Sequence, residues 1–376
     1  MSPPIRLLVV DDSAFVRKVV REVVGGDPDV EVVGHARDGL DALEKIQLLE
    51  PDVVTLDLVM PDLDGLGVLR ALADHPRPPA VLVVSTSAAD SDLAVEALQL
   101  GAIDLVHKPT ALATERMYDM SQELLVKLRV AAEVARRRPP IAVPRVVDPV
   151  PTPPSGGSAD LPVSSATRRA APPVEVNLRS AIVVVGTSSG GPQALTRLLA
   201  DLPGSFPVPL AAVVHIPVGY TEALAERLDR HSALHVVEAS DGLVFEAGTA
   251  VIARAGVHLR LERVGARAAR CVLDPAPASL HRPSVDQLFL STAAAFGEET
   301  LGVVLTGMGD DGREGARAIH AAGGRVVTEH PDTAIVDGMP RAVREAGLSD
   351  GVARLEALAA ALGAWIVAPG SPRSSP

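Results

Sequence analysis

The chain contains one cysteine, Cys271, among its 376 residues. A single thiol forms no intramolecular disulfide and no cysteine-based zinc site, so Cys271 is expected to be an inert part of the fold. Long apolar runs are also missing, and none approaches the roughly 18 residues that a membrane-crossing helix takes. The opening stretch, MSPPIRLLVVDDS, has apolar residues for one strand before it turns acidic, which does not fit a signal peptide. No membrane insertion is expected, and a cytoplasmic location is the default. Basic excess is absent as well. A net charge of -12 argues against a nucleic-acid binder, which needs a basic stripe to neutralise phosphates. Aromatic residues make up 2%, leaving aliphatics and alanine to supply the apolar surface of a soluble globular protein.

What is present falls into two halves. RRPPIAVPRVVDPVPTPPSGGSADLPVSSATRRAAPP is rich in Pro, Ser, Gly and Arg without apolar periodicity, so it cannot bury enough surface to offset its ordering entropy. It reads as a flexible linker over 131–178, between a first domain at 1–130 and a second at 179–370. Both flanking regions alternate valine-rich runs with amphipathic stretches. IRLLVV, VVTLDL and AVLVVS suggest strands in the first, and AIVVVG, LAAVVHI and TLGVVLTG do so in the second. That alternation predicts α/β architecture, with two doubly wound parallel-sheet domains whose chemistry gathers at the carboxyl ends of the strands.

In the first domain Asp11 and Asp12 follow LLVV, and Asp57 closes VVTL, so the three carboxylates should converge on one sheet edge. Uncompensated acids repel, which implies a divalent cation, and oxygen ligands favour Mg²⁺. Ser85 or Thr86 lies after VLVV, and Lys108 follows LVH. A metal, a hydroxyl and a lysine around an acid suit acceptance of a phosphoryl group on a carboxylate. VDDS, TLDLVMPDLDG and GAIDLVHKP resemble the response-regulator receiver domain. The resemblance implies a flavodoxin-like fold, Asp57 as phospho-acceptor, Asp12 as direct metal ligand, Asp11 as a supporting acid and Lys108 as the phosphate contact. The switch hydroxyl stays open between Ser85 and Thr86.

In the second domain VVVGTSSGG joins a strand to a helix that starts at Pro192. The glycine spacing fits neither a dinucleotide turn nor a P-loop, and the turn carries no lysine. Gly186, Ser188 and Gly190 do match G-x-S-x-G, a turn that presents a nucleophilic serine. Serine needs a base and an orienting acid. His215 ends the next strand, and Asp310 and Asp311 follow TLGVVL, with Asp286 a further rival. Strand position favours His215 and does not separate Asp310 from Asp311.

GTSSGGPQAL, VHIPVGYTEALAERL, HRPSVDQLF, LTGMGDDGREG and VDGMPRAV resemble, in this order, the catalytic domain of chemotaxis-specific protein-glutamate methylesterases, a Rossmann-like fold. On that pattern Ser188 is the nucleophile, His215 the base and Asp311 the orienting acid, with Ser189 and Met308 lining the pocket. Val214, ARAG before His258 and TEHPDTAIV depart from the usual pattern without removing a triad member. The resemblance implies a carboxylic ester hydrolase activated by phosphorylation from a chemotaxis histidine kinase. It would demethylate glutamyl esters on the cytoplasmic domains of chemoreceptors, release methanol and deamidate receptor glutamines. No cofactor is expected for the ester chemistry. An unphosphorylated receiver is expected to pack over the Ser188 cleft. Four rival readings stand beside this one: the same enzyme in a non-chemotaxis receptor array, a receiver with DNA-binding output, a receptor-binding pseudoenzyme, and a lipase-type α/β-hydrolase with His320 or His330 as base.

Overall fold

A computed structural model describes residues 3–85, 91–108, 114–137, 179–277, 279 and 281–367. Thr86 and residues 138–178 of the expected linker lie outside the described residues.

The first domain runs β1 (Ile5–Val10), α1 (Ala14–Val24), β2 (Val30–Ala36), α2 (Gly39–Leu49), β3 (Val53–Leu56), α3 (Gly65–Leu72), β4 (Ala80–Ser85), α4 (Ser91–Gln99), β5 (Asp104–His107) and α5 (Thr114–Arg137). Local chemistry starts the helices: Ser13, Asp38 and Asp64 are N-caps whose side chains accept amides of Val16, Asp41 and Gly67. The strands pair in parallel in the order β2-β1-β3-β4-β5. β3 and β4 are buried throughout, as continuous aliphatic runs in a sheet covered on both faces must be. Helix α5 continues past the expected boundary at 130, because Ala131, Ala132 and Val134 are buried with Leu124 and Leu128 in the same core. The alanine-rich end of that helix has no proline before Pro139, so the helix runs past the point at which the composition changes.

The second domain contains β6 (Ile182–Thr187), α6 (Gly191–Asp201), β7 (Leu210–Val214), α7 (Thr221–His231), β8 (His235–Glu238), β9 (Val244–Phe245), β10 (Thr249–Ile252), β11 (His258–Val264) and β12 (Ala268–Asp274). It continues with α8 (Val285–Phe296), β13 (Thr300–Val304), α9 (Arg313–Ala321), β14 (Arg325–Glu329), α10 (Gly338–Glu345), β15 (Gly351–Ala353) and α11 (Leu355–Ile366). Seven strands form a parallel sheet in the order β15-β14-β13-β6-β7-β10-β8. An antiparallel sheet of β11, β12 and β9 adds to the expected doubly wound core. HLRLERV, in β11, alternates apolar and polar residues, the period of a half-buried strand.

In each parallel sheet the order reverses beside the first strand, between β1 and β3 and between β6 and β13, and the second sheet reverses again at its edge, where β10 lies between β7 and β8. Ligands in such sheets bind in the crevice outside the strand ends at the reversal beside the first strand. Asp11, Asp12 and Asp57 occupy one such crevice, and the Ser188 turn occupies the other.

Candidate functional site

Carboxylate atoms of Asp11, Asp12 and Asp57 lie within 4.8 Å of one another. Lys108 Nζ is 2.9 Å from Asp11 Oδ2 and 2.5 Å from Asp57 Oδ2. Burial raises the Asp57 pKa above the usual carboxylate range, although the bond and charge of Lys108 oppose it. Burial likewise opposes the Lys108 charge, but its bonds to Asp57 and Asp11 win and raise its pKa. One ammonium faces three acids, and Asp12 is exposed, so the oxygen donor set fits a hard, partly hydrated cation such as Mg²⁺. Ser85 is buried at the end of β4, and its carbonyl accepts the Lys108 amide at 2.7 Å. That contact puts Ser85 at the same strand-end cluster.

The Ser188 turn is built by close approach. A side chain on Gly186 would collide with Val285, so glycine there lets the start of α8 reach the end of β6. Gly190 has φ 75°, the left-handed region that suits glycine, and leads into α6 with Pro192 in its first turn. The Ser188 amide donates to Thr306 O at 3.0 Å, and Thr306 Oγ1 donates to Ser189 O at 2.9 Å. The loop after β13 thereby holds the serine turn at two points.

His215 follows β7, and its amide donates to Thr187 O at 3.1 Å. Its Nε2 lies 2.9 Å from Asp311 Oδ2. Asp311 accepts three further bonds at the start of α8: from Ser284 Oγ at 2.9 Å, Val285 N at 2.8 Å and Asp286 N at 2.9 Å. Burial alone would raise the Asp311 pKa, but the His215 bond and charge, with the amides of Asp286 and Val285, hold it well below the usual carboxylate range. An ionised Asp311 fixes the proton of His215 on Nε2 and leaves Nδ1 with its lone pair. Nδ1 is buried and has no hydrogen-bond partner among the described residues. The acid and base are therefore joined, whereas no hydrogen bond joins the base to Ser188 in this arrangement. Catalytic bonds of this kind often tighten only when substrate is bound.

The rival acids have other partners. Asp310 is exposed and pairs with Arg313 at 2.9 Å. Asp286 accepts amides of Gly312 and Gly315 at 2.9 and 2.7 Å, capping α9. Burial, aided by the Asp311 charge and opposed by those amides, raises the Asp286 pKa to about 6. Asp311 thus caps the helix bearing Asp286, and Asp286 caps the helix that follows Asp311. Of the rival bases, His320 pairs with Asp350 at 2.7 Å and His330 lies 3.6 Å from the exposed Asp332.

Sequence reasoning did not assign roles to Ser284 or His281. Ser284 lies in HRPSVDQ, and only the fold brings its hydroxyl to Asp311. The His281 ring stacks on His215, with centroids 4.2 Å apart and planes at 13°. Burial, followed by the His215 charge, lowers the His281 pKa to about 4. A neutral flat surface therefore backs the base. Cys271 is buried and its thiol is pushed up to about 12 by burial, as suits an inert residue.

The receiver-like domain lies against this turn. The Gly190 amide donates to Ile103 O at 2.9 Å, and Ser189 Oγ donates to Asp104 Oδ2. Lys127 Nζ holds the other oxygen of Asp104 at 2.9 Å. Around them Gln193 Nε2 donates to the carbonyls of Leu98 and Ala102, Gln99 Nε2 donates to Thr196 Oγ1 at 3.0 Å, and Arg227 Nε donates to Gln99 Oε1. Ser188 retains 8% of its exposure.

Comparison with known proteins agrees with both halves. The response regulator receiver domain family matches residues 7–118, and the CheB methylesterase family matches residues 183–362. Protein-glutamate methylesterase/protein-glutamine glutaminase 5 of Myxococcus xanthus is 55% identical over 96% of this chain and 97% of its own. The corresponding protein of Geobacillus kaustophilus is 42% identical over 95% of this chain and 97% of its own. The crystal structure of the Thermotoga maritima CheB methylesterase catalytic domain is 38% identical, covering 49% of this chain and 97% of that one, with a TM-score of 0.47. Near-full-length identity to these two-domain relatives places the chain in the protein-glutamate methylesterase/protein-glutamine glutaminase family.

Proposed function

We propose that this protein is a phosphorylation-activated serine esterase of chemotactic adaptation, with Ser188 as nucleophile, His215 as base and Asp311 as orienting acid. The observation that carries this reading is the His215–Asp311 pair at 2.9 Å, which leaves a lone pair on buried Nδ1 of the residue bonded through its backbone to Thr187.

Nδ1 takes the proton of Ser188 Oγ as that oxygen attacks the carbonyl carbon of a glutamyl methyl ester on a chemoreceptor. Ionised Asp311 stabilises the imidazolium that forms. Collapse of the tetrahedral adduct expels the methoxy group, which leaves as methanol with the proton from Nδ1. Water then attacks the acyl-enzyme with Nδ1 as base again, and receptor glutamate is restored. With a glutamine side chain, the same steps release ammonia. Amides of the Gly-rich turn and the start of α6 are suited to the oxyanion, and in the docked arrangement the Gly190 amide is already taken by Ile103 O.

Asp57 is the proposed acceptor of a phosphoryl group from a chemotaxis histidine kinase. Asp11, Asp12 and Asp57 would hold the Mg²⁺, which neutralises phosphoryl oxygens when bound. Lys108 is placed to pair with a phosphoryl oxygen, and Ser85 is the described candidate for the switch hydroxyl. Added charge at Asp57 would weaken the receiver contact and uncover Ser188. This division of labour assigns regulation to the first domain and ester chemistry to the second. No helix among the described residues is long and apolar enough to cross a membrane; action from the cytoplasm on receptor cytoplasmic domains is part of the proposal.

The test is methanol release from methylated receptor membranes with a phosphodonor present. Ser188→Ala and His215→Ala should be inactive and His330→Ala active. Normal turnover in the first two variants would sink the triad.

A further inference from the structure

Strand β14 ends in Glu329, a completely buried carboxyl that belongs to neither acid cluster described above. Its Oε2 accepts the Thr306 amide at 2.8 Å. Its Oε1 is buried without a hydrogen-bond partner among the described residues. Thr306 is the residue that holds the serine turn: its carbonyl accepts the Ser188 amide and the Thr187 hydroxyl, and its own hydroxyl donates to Ser189 O. Glu329 therefore stands one residue behind the nucleophile's support.

The charged groups around Glu329 do not neutralise it. Asp337 and Glu356 add negative potential. Arg344 spends its guanidinium on both carboxylate oxygens of Asp337 and on the backbone carbonyl of Glu329. Arg354 pairs with Asp332 and Glu356, and His330 lies beside Asp332. Burial raises the Glu329 pKa to about 7, opposed by the Thr306 amide and by the nearby Thr333 hydroxyl, whose proton goes to His330 O at 3.2 Å and not to Oε1, and Asp337 and Glu356 add to it. A carboxylate in this position carries a charge with one oxygen unsatisfied. Relief requires water to enter or the side chain to move toward Arg344, and either change shifts Thr306.

We propose that Glu329 is a positioning residue for the Ser188 turn, holding Thr306 as a neutral buried carboxyl and loosening the turn when it ionises. This rests on Ser188 being the nucleophile.

Glu329→Gln keeps the shape and the acceptor but cannot ionise. With the full-length chain, methylated receptor membranes and a phosphodonor, turnover is compared between pH 6 and 8.5. The ratio of Glu329→Gln to wild type should be near one at pH 6 and about tenfold at pH 8, because roughly a tenth of the wild-type carboxyl is neutral one unit above its pKa. Melting gives a second readout. The native pKa lies above the unfolded value, so this group's share of stability is full below about pH 4.5 and is lost as pH rises to about 7. Wild type should match Glu329→Gln at pH 5 and melt roughly 5 °C lower at pH 8. Parallel turnover profiles overturn the proposal, as does a folded Glu329→Gln that is inactive at pH 6. A wild-type Glu329 carboxyl that titrates below pH 5 by ¹³C NMR also overturns it, and that measurement needs no variant. Should Ser188→Ala turn over normally, the nucleophile assignment fails, while melting and NMR still judge the titration of Glu329.

Discussion

Two strand-end clusters of one chain put aspartates to opposite uses. In the receiver domain Asp57 shares its crevice with Asp11, Asp12 and one lysine, and burial raises its pKa. In the esterase domain Asp311 receives four hydrogen bonds, three of them from the first turn of α8 and its cap, and its pKa falls. The same architecture gathers both at the carboxyl ends of parallel strands. Their surroundings separate them: the underdonated cluster is suited to receive a cation and a phosphoryl group, whereas the saturated one holds an imidazole in a single tautomer.

The strongest way to break that contrast is to exchange what each cluster lacks. Ser188→Ala should lower methanol release on the order of 10⁵-fold with or without phosphodonor, since triad members act as a unit. Asp311→Asn should cost roughly 10³- to 10⁴-fold in kcat while the protein stays folded, because an amide no longer fixes the Nε2 proton. Comparable turnover would show that the four bonds serve stability alone. Asp57→Asn should instead leave basal turnover in place and remove phosphodonor activation, a coupling of roughly tenfold. Equal activation of variant and wild type would move the acceptor elsewhere. The smallest effect is at the contact between domains. Gln99→Ala removes bonds to Thr196 and Arg227, about 0.5 kcal/mol for each at this partly exposed contact, and should raise unphosphorylated turnover about fivefold. Unchanged basal activity would mean that the docked receiver does not limit access.

Much of this was legible in residue order because both crevices are made at strand ends. Valine runs followed by VDDS, by TLD and by GTSSGG place their polar residues at the sheet edge whatever the details of packing. The antiparallel β11–β12 hairpin was written in the alternation of HLRLERV, but a valine-run search passes over half-buried strands. Strand position alone could not choose between Asp310 and Asp311: they are neighbours, and the choice depends on which one faces the start of α8, 26 positions from Val285 along the chain. Ser284, His281 and Glu329 were illegible for the same reason. Their partners are distant in sequence, and each acts through a contact that exists only after the elements pack.

The crossed caps of Asp286 and Asp311 also set the order in which the enzyme comes into being. As the chain leaves the ribosome, Ser188 and His215 emerge well before Asp311, α8 has no acceptor for its first amides until Asp311 is out, and Asp286 caps α9 only once Gly315 is out. A partly synthesised chain therefore carries Ser188 and His215 without the carboxylate that orients the imidazole. On the proposed triad, ester chemistry waits until the second domain has been made through Gly315.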